Sequence, residues 1–498
     1  MSHCRGMRLR EGEDTMEAAI ELLREDAVFR HFYALCQIPH GSGNEGPIGA
    51  YLLNWARELG LEAERDEAGN VLIRKAASPG REGAPVTMLQ AHMDMVCEKA
   101  EGIAHDFAKD PIQWVVDGDE LSTGGRTTLG ADDGIGVALA MALLADDTLT
   151  HPALEVLFTT MEEEDLSGAS RFDTGKLKAR YLFNLDHVKD DEILCGSCGG
   201  MQVDVRVPLS AKPPQEGWRP CRLEVSGLRG GHSGEDIHRG RDNANILLLR
   251  SLLALEECCA FRLGPIRGGS FRLAIARDAE AVVWLKASDR DTARECLTRM
   301  ERAFRGELPA SADSVCVTLE ALSDAPAWVV EPGRVLDALS LLPDGIFQMS
   351  EAFHGIVDTS DNLGEVYLSE SGLHCVLEIR SASESRRTYL YQRMRRLAAL
   401  LGGECTCCNE YPSWSFRHSS PLRALCGGVY HELFGEPPKF LVVHAGLEVG
   451  CFFGTKPELD AVSIGPNCRD FHSPSEALQI SSVRKEFRYL RAILSAIE

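Results

Sequence analysis

The sequence lacks an apolar run close to the ~20 residues that a membrane-spanning helix requires, and Met1–Gly6 lacks the apolar core of a secretory signal. Positive charge is also scarce, since 52 basic residues stand against 75 acidic ones, for a formal charge of −23. Such a surface repels the phosphates that dominate nucleic-acid binding. We therefore expect a cytoplasmic protein with no nucleic-acid and no membrane partner.

A disulfide framework is also missing. The 17 cysteines are an odd number and are spread through apolar segments such as Glu257–Ala260, which favours reduced thiols. Two groupings, Cys195–Cys198 and Cys405–Cys408, are candidates for a structural zinc site or a redox pair, but no histidine of matching spacing accompanies them. We interpret them as small side chains buried in the core.

What the chain does contain is ample material for folded domains. It has 498 residues, of which 44% are hydrophobic and 26% charged, close to globular averages. At about 100 to 200 residues per domain, this length predicts at least two domains.

The first part of the chain alternates strand and helix patterns. Val86–Gln90 predicts a buried strand that leads into His92, Gly134–Leu144 an apolar helix, and Ala153–Thr160 a second strand. Strand, helix and strand in succession predict an α/β sheet covered on both faces.

The pattern changes after Asp186. The proline-rich segment Pro208–Pro220 predicts a crossing between domains. Beyond it, two strand-then-helix patterns suggest an α+β domain of two related halves. The patterns are Val282–Lys286 with 291–304, and Cys375–Arg380 with 384–401. Because Leu441–His444 resumes the buried-strand texture, we predict a catalytic domain of residues 1–198 and 404–498, interrupted by an inserted domain of residues 199–403.

Five separated clusters combine histidines and carboxylates. They are Ala91–Asp94, Gly130–Gly134, Met161–Glu164, Asn184–His187 and Asp470–Pro474. Several follow predicted strands, so their side chains could converge at one edge of a sheet to bind a pair of divalent ions. One ion would bind to His92 and Asp186. The other would bind to Glu163 and His472, with Asp132 between the two and a water bridging the ions.

Two further residues of these clusters have candidate roles. Asp94 is close enough to His92 to orient its imidazole by accepting a hydrogen bond. Glu162 neighbours Glu163 and is the candidate general base and acid, because a carboxylate beside metal-activated water can move its proton. Each cluster alone has a structural alternative: the acidic run at 162–165 as a solvated helix start, or Asp132 as a helix cap. Only the ordered combination favours a site.

The clusters resemble the aminoacyl-histidine dipeptidase (Xaa-His dipeptidase) family, within the larger group of co-catalytic zinc exopeptidases and deacylases. The resemblance covers nearly the whole chain and includes strings specific to the family. They are Gln37–Glu45, Gln90–Val96, Thr128–Asp132, Gly230–Gly234, His444–Glu448 and His472–Pro474. It implies a di-zinc catalytic domain with a mixed sheet flanked by helices, an inserted α+β lid that closes over the substrate, and hydrolysis of unblocked dipeptides, notably those with C-terminal histidine.

The resemblance also implies substrate-facing residues. His232 matches the lid histidine that polarises the scissile carbonyl or carboxylate in the transition state, with an exposed histidine in a glycine-rich turn as the alternative. Arg380 resembles the lid arginine that pairs with the C-terminal carboxylate, and Asn362 would hold the same end. Glu448 would receive the free amine, with His444 lining the pocket. For the last four residues a purely structural role is the alternative.

The sequence departs from the family pattern at three positions. Asp133 replaces an asparagine, Asp165 stands where glycine is usual, and His187 follows Asp186. These changes add charge or an imidazole near the site, with consequences for metal preference, operating pH or substrate range.

Several alternatives stay open at this point. Manganese or cobalt could replace zinc, and the small dipeptide substrate could be cleaved by a monomer or a homodimer. An N-acyl amino acid deacylase uses the same kind of metal centre, and a non-catalytic peptide-binding or metal-storage protein could share the fold.

Overall fold

The computed structural model of the chain describes residues 16–309 and 314–498. They divide into two units. The first contains the described residues up to Gly196 together with Phe416–Val442 and Leu447–Glu498. The second contains Ser197–Ser415 and Val443–Gly446.

The first unit opens with alternating helices and strands. Its helices are α1 (residues 16–23), α2 (Ala27–Cys36), α3 (Gly46–Glu58), α4 (Ala131–Ala145), α5 (Glu162–Asp165) and α6 (Ser167–Arg171). Its strands are β1 (Glu62–Arg65), β2 (Val71–Lys75), β3 (Thr87–His92), β4 (Val115–Asp117), β5 (Glu120–Ser122), β6 (Leu154–Thr159), β7 (Tyr181–Asn184) and β8 (Glu192–Ser197).

The second unit is rich in antiparallel strands. They are β9 (Gly199–Pro208), β10 (Trp218–Ser226), β11 (Gly231–His232), β12 (Phe261–Gly268), β13 (Ala274–Ile275), β14 (Ala279–Lys286), β15 (Cys316–Ala321), β16 (Gly345–Met349), β17 (Val357–Ser369), β18 (Gly372–Ser381) and β19 (Glu404–Tyr411). Its helices are α7 (Ala244–Cys258), α8 (Arg290–Glu307), α9 (Gly333–Leu341) and α10 (Glu384–Leu400).

The chain then returns to the first unit. The returning elements are α11 (Pro421–Phe434), β20 (Lys439–Val443), α12 (Val449–Thr455), β21 (Asp460–Ser463), β22 (Cys468–Arg469), β23 (Ala477–Gln479) and α13 (Ile480–Ala496). The main sheet has the order β1-β2-β6-β3-β7-β21-β8-β20, so both ends of the chain contribute strands to it. Strand β3 is parallel to β6 and β7, whereas β2 is antiparallel to β6. The predicted mixed sheet is confirmed.

Burial explains the apolar runs that dominate this sheet. Every residue of β3 and β6 is buried, as expected of parallel strands covered on both faces. Helix α4 is apolar around its whole circumference because it lies between β3 and α2. No helix within the described residues is both long and apolar enough to cross a bilayer.

The second unit is built on a nine-stranded sheet whose main path is β15-β10-β14-β12-β17-β18-β9-β19, with β16 paired to β17. Helix α7 packs on β10 and β14, and α10 packs on β9, β18 and β19. Strand β14 is followed by α8, and β18 is followed by α10, at the positions that the sequence predicted. The relation between the two halves stays a prediction.

The division of the chain differs from the predicted boundary at 403. Strand β19 pairs with β9 of the second unit, and that unit continues to Ser415. The predicted boundary falls in the turn between α10 and β19, inside the second unit. A short strand whose pairing partner lies about 200 residues away has no local signature.

Candidate active site

Three strand ends place the first site residues at one edge of the main sheet. His92 is the last residue of β3, Glu163 lies in α5 just after β6, and Asp186 follows β7. Because β3 is parallel to both β6 and β7, their carboxyl ends meet at the same edge. This edge is the usual ligand position in open α/β sheets.

Two loops complete the group. Asp132 lies in the first turn of the α4 segment with an extended backbone (φ −85°, ψ 105°), and its peptide bond to Asp133 is cis. His472 lies between β22 and β23 with φ 60°, and Met161, just before α5, has φ 58°. Non-glycine residues adopt this left-handed region only where their surroundings impose it. Both strained positions flank or carry candidate ligands.

The structure brings all five predicted ligands together. His92 Nε2 lies 3.1 Å from Asp132 Oδ1 and 3.6 Å from Asp186 Oδ1. His472 Nε2 lies 3.1 Å from Asp132 Oδ2 and 2.9 Å from Glu163 Oε2. Each oxygen of Asp132 therefore faces a different histidine. Potential ligand atoms lie within 4.8 Å of one another in the group of His92, Asp132 and Asp186, and likewise in the group of Asp132, Glu163 and His472.

Electrostatics indicate a site suited to cations. Burial works to lower the pKa of His472, but the carboxylates of Asp132 and Glu163 raise it to about 11. Burial and the charge of Asp132 raise the pKa of Asp186 to about 7. Glu163 Oε1 is buried without a hydrogen-bond partner among the described residues. Imidazoles, clustered carboxylates and an unsatisfied oxygen fit divalent ions that accept nitrogen and oxygen ligands.

Asp94 contacts both His92 and the turn that carries Glu162 and Glu163. Its backbone carbonyl lies 3.0 Å from His92 Nδ1, closer than its own carboxylate oxygen at 3.6 Å. The Asp94 carboxylate instead accepts hydrogen bonds from Ser42 Oγ and from the backbone N–H groups of Glu162 and Glu163. The predicted orientation of the imidazole therefore involves mainly the carbonyl, and the carboxylate anchors the turn that carries the two glutamates.

Glu162 lies beside the candidate ligands. Its carboxylate forms a close group with His92 and Glu163. Burial raises the pKa of Glu162 well above its usual range, and the charges of Asp186 and Glu163 add to this effect. A carboxyl group with a raised pKa next to a metal site is suited to accept and return a proton.

Glu448 also belongs to the first unit and is fully buried. Its Oε2 accepts hydrogen bonds from Gln90 Nε2 at 2.5 Å and from Thr159 Oγ1 at 2.7 Å. Burial raises its pKa to about 8. The other oxygen, Oε1, has no partner within the described part of the chain, so a cationic group could still be bound there.

The other four predicted residues lie in the second unit. Arg380 Nη2 is 3.3 Å from His232 Nε2, and burial together with Arg380 lowers the pKa of His232 to about 4. His444 Nε2 is 2.7 Å from Ser360 Oγ. Asn362 donates both amide hydrogens to backbone carbonyls, those of Arg272 and Ala274. The amide N–H groups of Asn362 are therefore already used in hydrogen bonds within the protein.

Sequence reasoning missed Glu476 and did not foresee the supporting contact of Asp133. Glu476, 1% exposed, accepts backbone N–H groups of Leu129, Ala131 and Asp132, which belong to the loop that carries a candidate ligand. Asp133 accepts the His92 backbone N–H at 3.2 Å. Glu476 follows the His472–Pro474 string, and this proximity was the available signal.

The departures from the family pattern have different surroundings. Asp133 is buried, and burial with the charge of Asp186 raises its pKa well above the usual range. Asp165 is exposed and accepts the Ser167 backbone N–H. His187 lies 3.5 Å from Glu192 Oε2. Of these three side chains, only that of Asp133 forms a hydrogen bond with the backbone of a candidate ligand.

The cysteine groupings behave differently from each other. All 16 cysteines of the described residues are free, and none belongs to a group there that could hold a metal. Cys195 and Cys198 are buried, as predicted. The prediction of burial is wrong for Cys407 and Cys408, which are exposed because β19 forms an edge of its sheet.

Comparison with known proteins supports the same interpretation. The chain is 37% identical over 470 residues to the cytosol non-specific dipeptidase of Escherichia coli (strain K12), covering 94% of this chain and 96% of the relative. It superimposes on aminoacylhistidine dipeptidase from Vibrio alginolyticus with a TM-score of 0.85 and 35% identity, covering 95% and 96% of the two chains. Aminopeptidase PepT from Bacillus cereus shares the fold alone, with a TM-score of 0.54, 15% identity and coverage of 95% and 98%.

A family assignment follows from these matches. Residues 88–496 match peptidase family M20/M25/M40. The span includes the five candidate ligands and Glu162, and the predicted fold class and peptidase class are confirmed. The chain belongs to peptidase family M20/M25/M40.

Proposed function

We propose that this protein is a metal-dependent dipeptidase that hydrolyses unblocked dipeptides, with Xaa-His dipeptides such as carnosine among its substrates. The observation that carries the proposal is that the two carboxylate oxygens of Asp132 face two different histidines. Glu162 lies beside one of them, His92. Relatives named as a non-specific dipeptidase and an aminoacylhistidine dipeptidase support this substrate class. The name of the first relative also supports a cytoplasmic location.

Two divalent ions fit the candidate ligands. His92 and Asp186 would hold one ion, Glu163 and His472 the other, and Asp132 would contact both. When bound, the ions supply Lewis-acid activation of the peptide carbonyl and of water. Zinc suits this mixture of imidazole and carboxylate ligands, and manganese and cobalt are the alternatives that the experiment below compares.

The protein's own groups account for proton transfer and for recognition of the substrate. Glu162 takes a proton from the attacking water and returns it to the nitrogen of the leaving amine. The buried Glu448 carboxylate is available to the free amino terminus through Oε1. Within the second unit, Arg380 would bind the free carboxylate and His232 would stabilise charge on the carbonyl oxygen. Recognition of a free amine and a free carboxylate selects unblocked substrates.

A metal-reconstitution experiment tests the proposal. Chelator-treated protein is loaded with zinc, manganese or cobalt, the bound metal is counted by elemental analysis, and hydrolysis is followed over a panel of dipeptides, carnosine and N-acetyl amino acids. We expect about two ions per chain and turnover only of substrates with a free amine. Full activity in metal-free protein, or a preference for N-acetyl amino acids, would contradict the proposal.

A further inference from the structure

Tyr411, which the sequence analysis did not single out, is half-buried in the second unit beside Arg380 and Ser233. Its hydroxyl oxygen accepts a hydrogen bond of 2.8 Å from Arg380 Nη1. On the other edge of the same guanidinium, Nε donates to Ser233 Oγ at 3.3 Å. Arg380 and Ser233 are 2% and 1% exposed, so these bonds are shielded from competing water.

The arrangement leaves the guanidinium able to bind an anion. Arginine has five N–H groups in a fixed plane. Ser233, Tyr411 and His232 each occupy one, on Nε, Nη1 and Nη2 respectively, so one N–H remains on Nη1 and one on Nη2. A carboxylate forms a bidentate pair with two N–H groups of an arginine, and this number remains on Nη1 and Nη2. Bonds at Nε and Nη1 hold the plane of the guanidinium in one orientation, because rotation about the side chain would break both.

Tyr411 is itself held firmly. Its backbone pairs with Gly200 in the β19/β9 ladder, and its carbonyl accepts a hydrogen bond from the buried Arg387. A side chain at Gly200 or at Gly446 would overlap the Tyr411 ring. The two glycines therefore let the ring lie close to both backbones, and Gly446 belongs to the His444–Glu448 string of the family resemblance.

We infer that Tyr411 is a positioning residue for substrate-carboxylate recognition, which fixes the Arg380 guanidinium in the orientation that binds the free C-terminus. This inference rests on the proposed function. It assigns Tyr411 no contact with the reacting atoms. Removal of the hydroxyl should therefore weaken binding of the carboxylate without changing the chemical step.

The test compares Tyr411→Phe with wild type, both reconstituted with metal, on a dipeptide and on the same dipeptide with an amidated C-terminus. Loss of one hydrogen bond to a charged group should raise KM for the free acid about tenfold, with kcat within about twofold. KM for the amide should stay unchanged. The matched control is Tyr367→Phe, which removes a hydroxyl bonded to Glu365 in the same sheet and should leave both substrates unaffected.

Two further measurements separate an effect that passes through Arg380 from a general loss of substrate binding. In an Arg380→Gln background, Tyr411→Phe should no longer alter the ratio of acid to amide KM, because its effect passes through Arg380. If wild type cleaves no dipeptide, the proposed function fails, and calorimetric binding of the acid and the amide still tests the role of Tyr411. An unchanged preference for the acid in Tyr411→Phe, or an equal loss of both ligands, would overturn the inference.

Discussion

Glu476 supports the backbone of Asp132 from 344 residues further along the chain. Its Oε1 accepts the Asp132 N–H at 3.4 Å and the Ala131 N–H at 2.8 Å, while Oε2 accepts the Leu129 N–H at 2.7 Å. One buried carboxylate thus orders the loop that presents the ligand facing both histidines.

The Glu476→Gln substitution should weaken metal binding. An amide has one acceptor oxygen instead of two, so part of the Asp132 loop loses its support. Changes next to metal ligands of this kind typically cost about 10- to 100-fold in metal affinity. Calorimetric titration of chelator-treated protein measures the effect, and the exposed Glu432→Gln serves as the control. Equal affinities in the two variants would show that the loop is ordered without Glu476.

The consecutive glutamates Glu162, Glu163 and Glu164 should respond differently to the same substitution. Glu162→Gln should retain metal but lose about 10²- to 10⁴-fold in kcat, because proton transfer is removed. Glu163→Gln should lose metal, since its carboxylate lies beside His472. The exposed Glu164→Gln is the matched control and should behave as wild type. Elemental analysis and kcat for the three variants check the assignment; substantial activity in Glu162→Gln would refute a general base at this position.

Asn362→Ala should affect stability more than substrate binding. Both amide hydrogens bond to the backbone carbonyls of Arg272 and Ala274, and Asn362 is 1% exposed. Unpaired buried carbonyls typically cost about 1–3 kcal/mol each, so the free energy of unfolding should fall by an amount of this order. Denaturant unfolding measures the loss. A raised KM with unchanged stability would instead favour the contact with substrate that the family resemblance implies.

Asp361 should make stability depend on pH. It is 0% exposed, both carboxylate oxygens lack partners within the described residues, and burial with the charges of Asp344 and Glu378 raises its pKa well above the usual range. The folded state then binds a proton that the unfolded state releases near pH 4, so stability is lost as pH rises from there towards the folded pKa.

The Asp361→Asn substitution should remove that dependence. The difference in unfolding free energy between variant and wild type should be small near pH 4 and should grow by up to about 1.4 kcal/mol per pH unit above it. Unfolding curves at several pH values measure this difference, and Asp337→Asn on an exposed position of α9 should show a constant one. A flat difference for Asp361→Asn would mean that the carboxylate is ionised in the fold.

The strand-associated part of the site could be predicted from sequence. His92 ends a buried apolar strand, Glu163 and Asp186 follow two others, and parallel strands of one sheet end at the same edge. Their proximity could therefore be predicted from the local strand patterns together with a general rule of sheet topology. Asp132 and His472 were identified by their motifs, although nothing local fixes where their loops lie.

Local sequence patterns do not predict the residues that support the site from distant parts of the chain. Glu476 and Tyr411 contact residues far away in sequence. Tyr411 lies in no motif, and the only signal for Glu476 was that it follows the His472–Pro474 string. The position of β19 depends on its pairing with β9, so the predicted boundary at 403 left this strand out of the second unit.

The sequence by itself determined the kinds of group available to the site, the order of strands and helices that carries them, and the peptidase family. The first two properties follow from residue type and periodicity along short stretches of chain, and the family follows from the resemblance of the motif strings. Only the tertiary structure decided that each oxygen of Asp132 faces a different histidine and that the Asn362 amide donates its hydrogen bonds to backbone carbonyls. Hydrogen bonds depend on ångström-scale distances between side chains, which arise from packing of the whole fold.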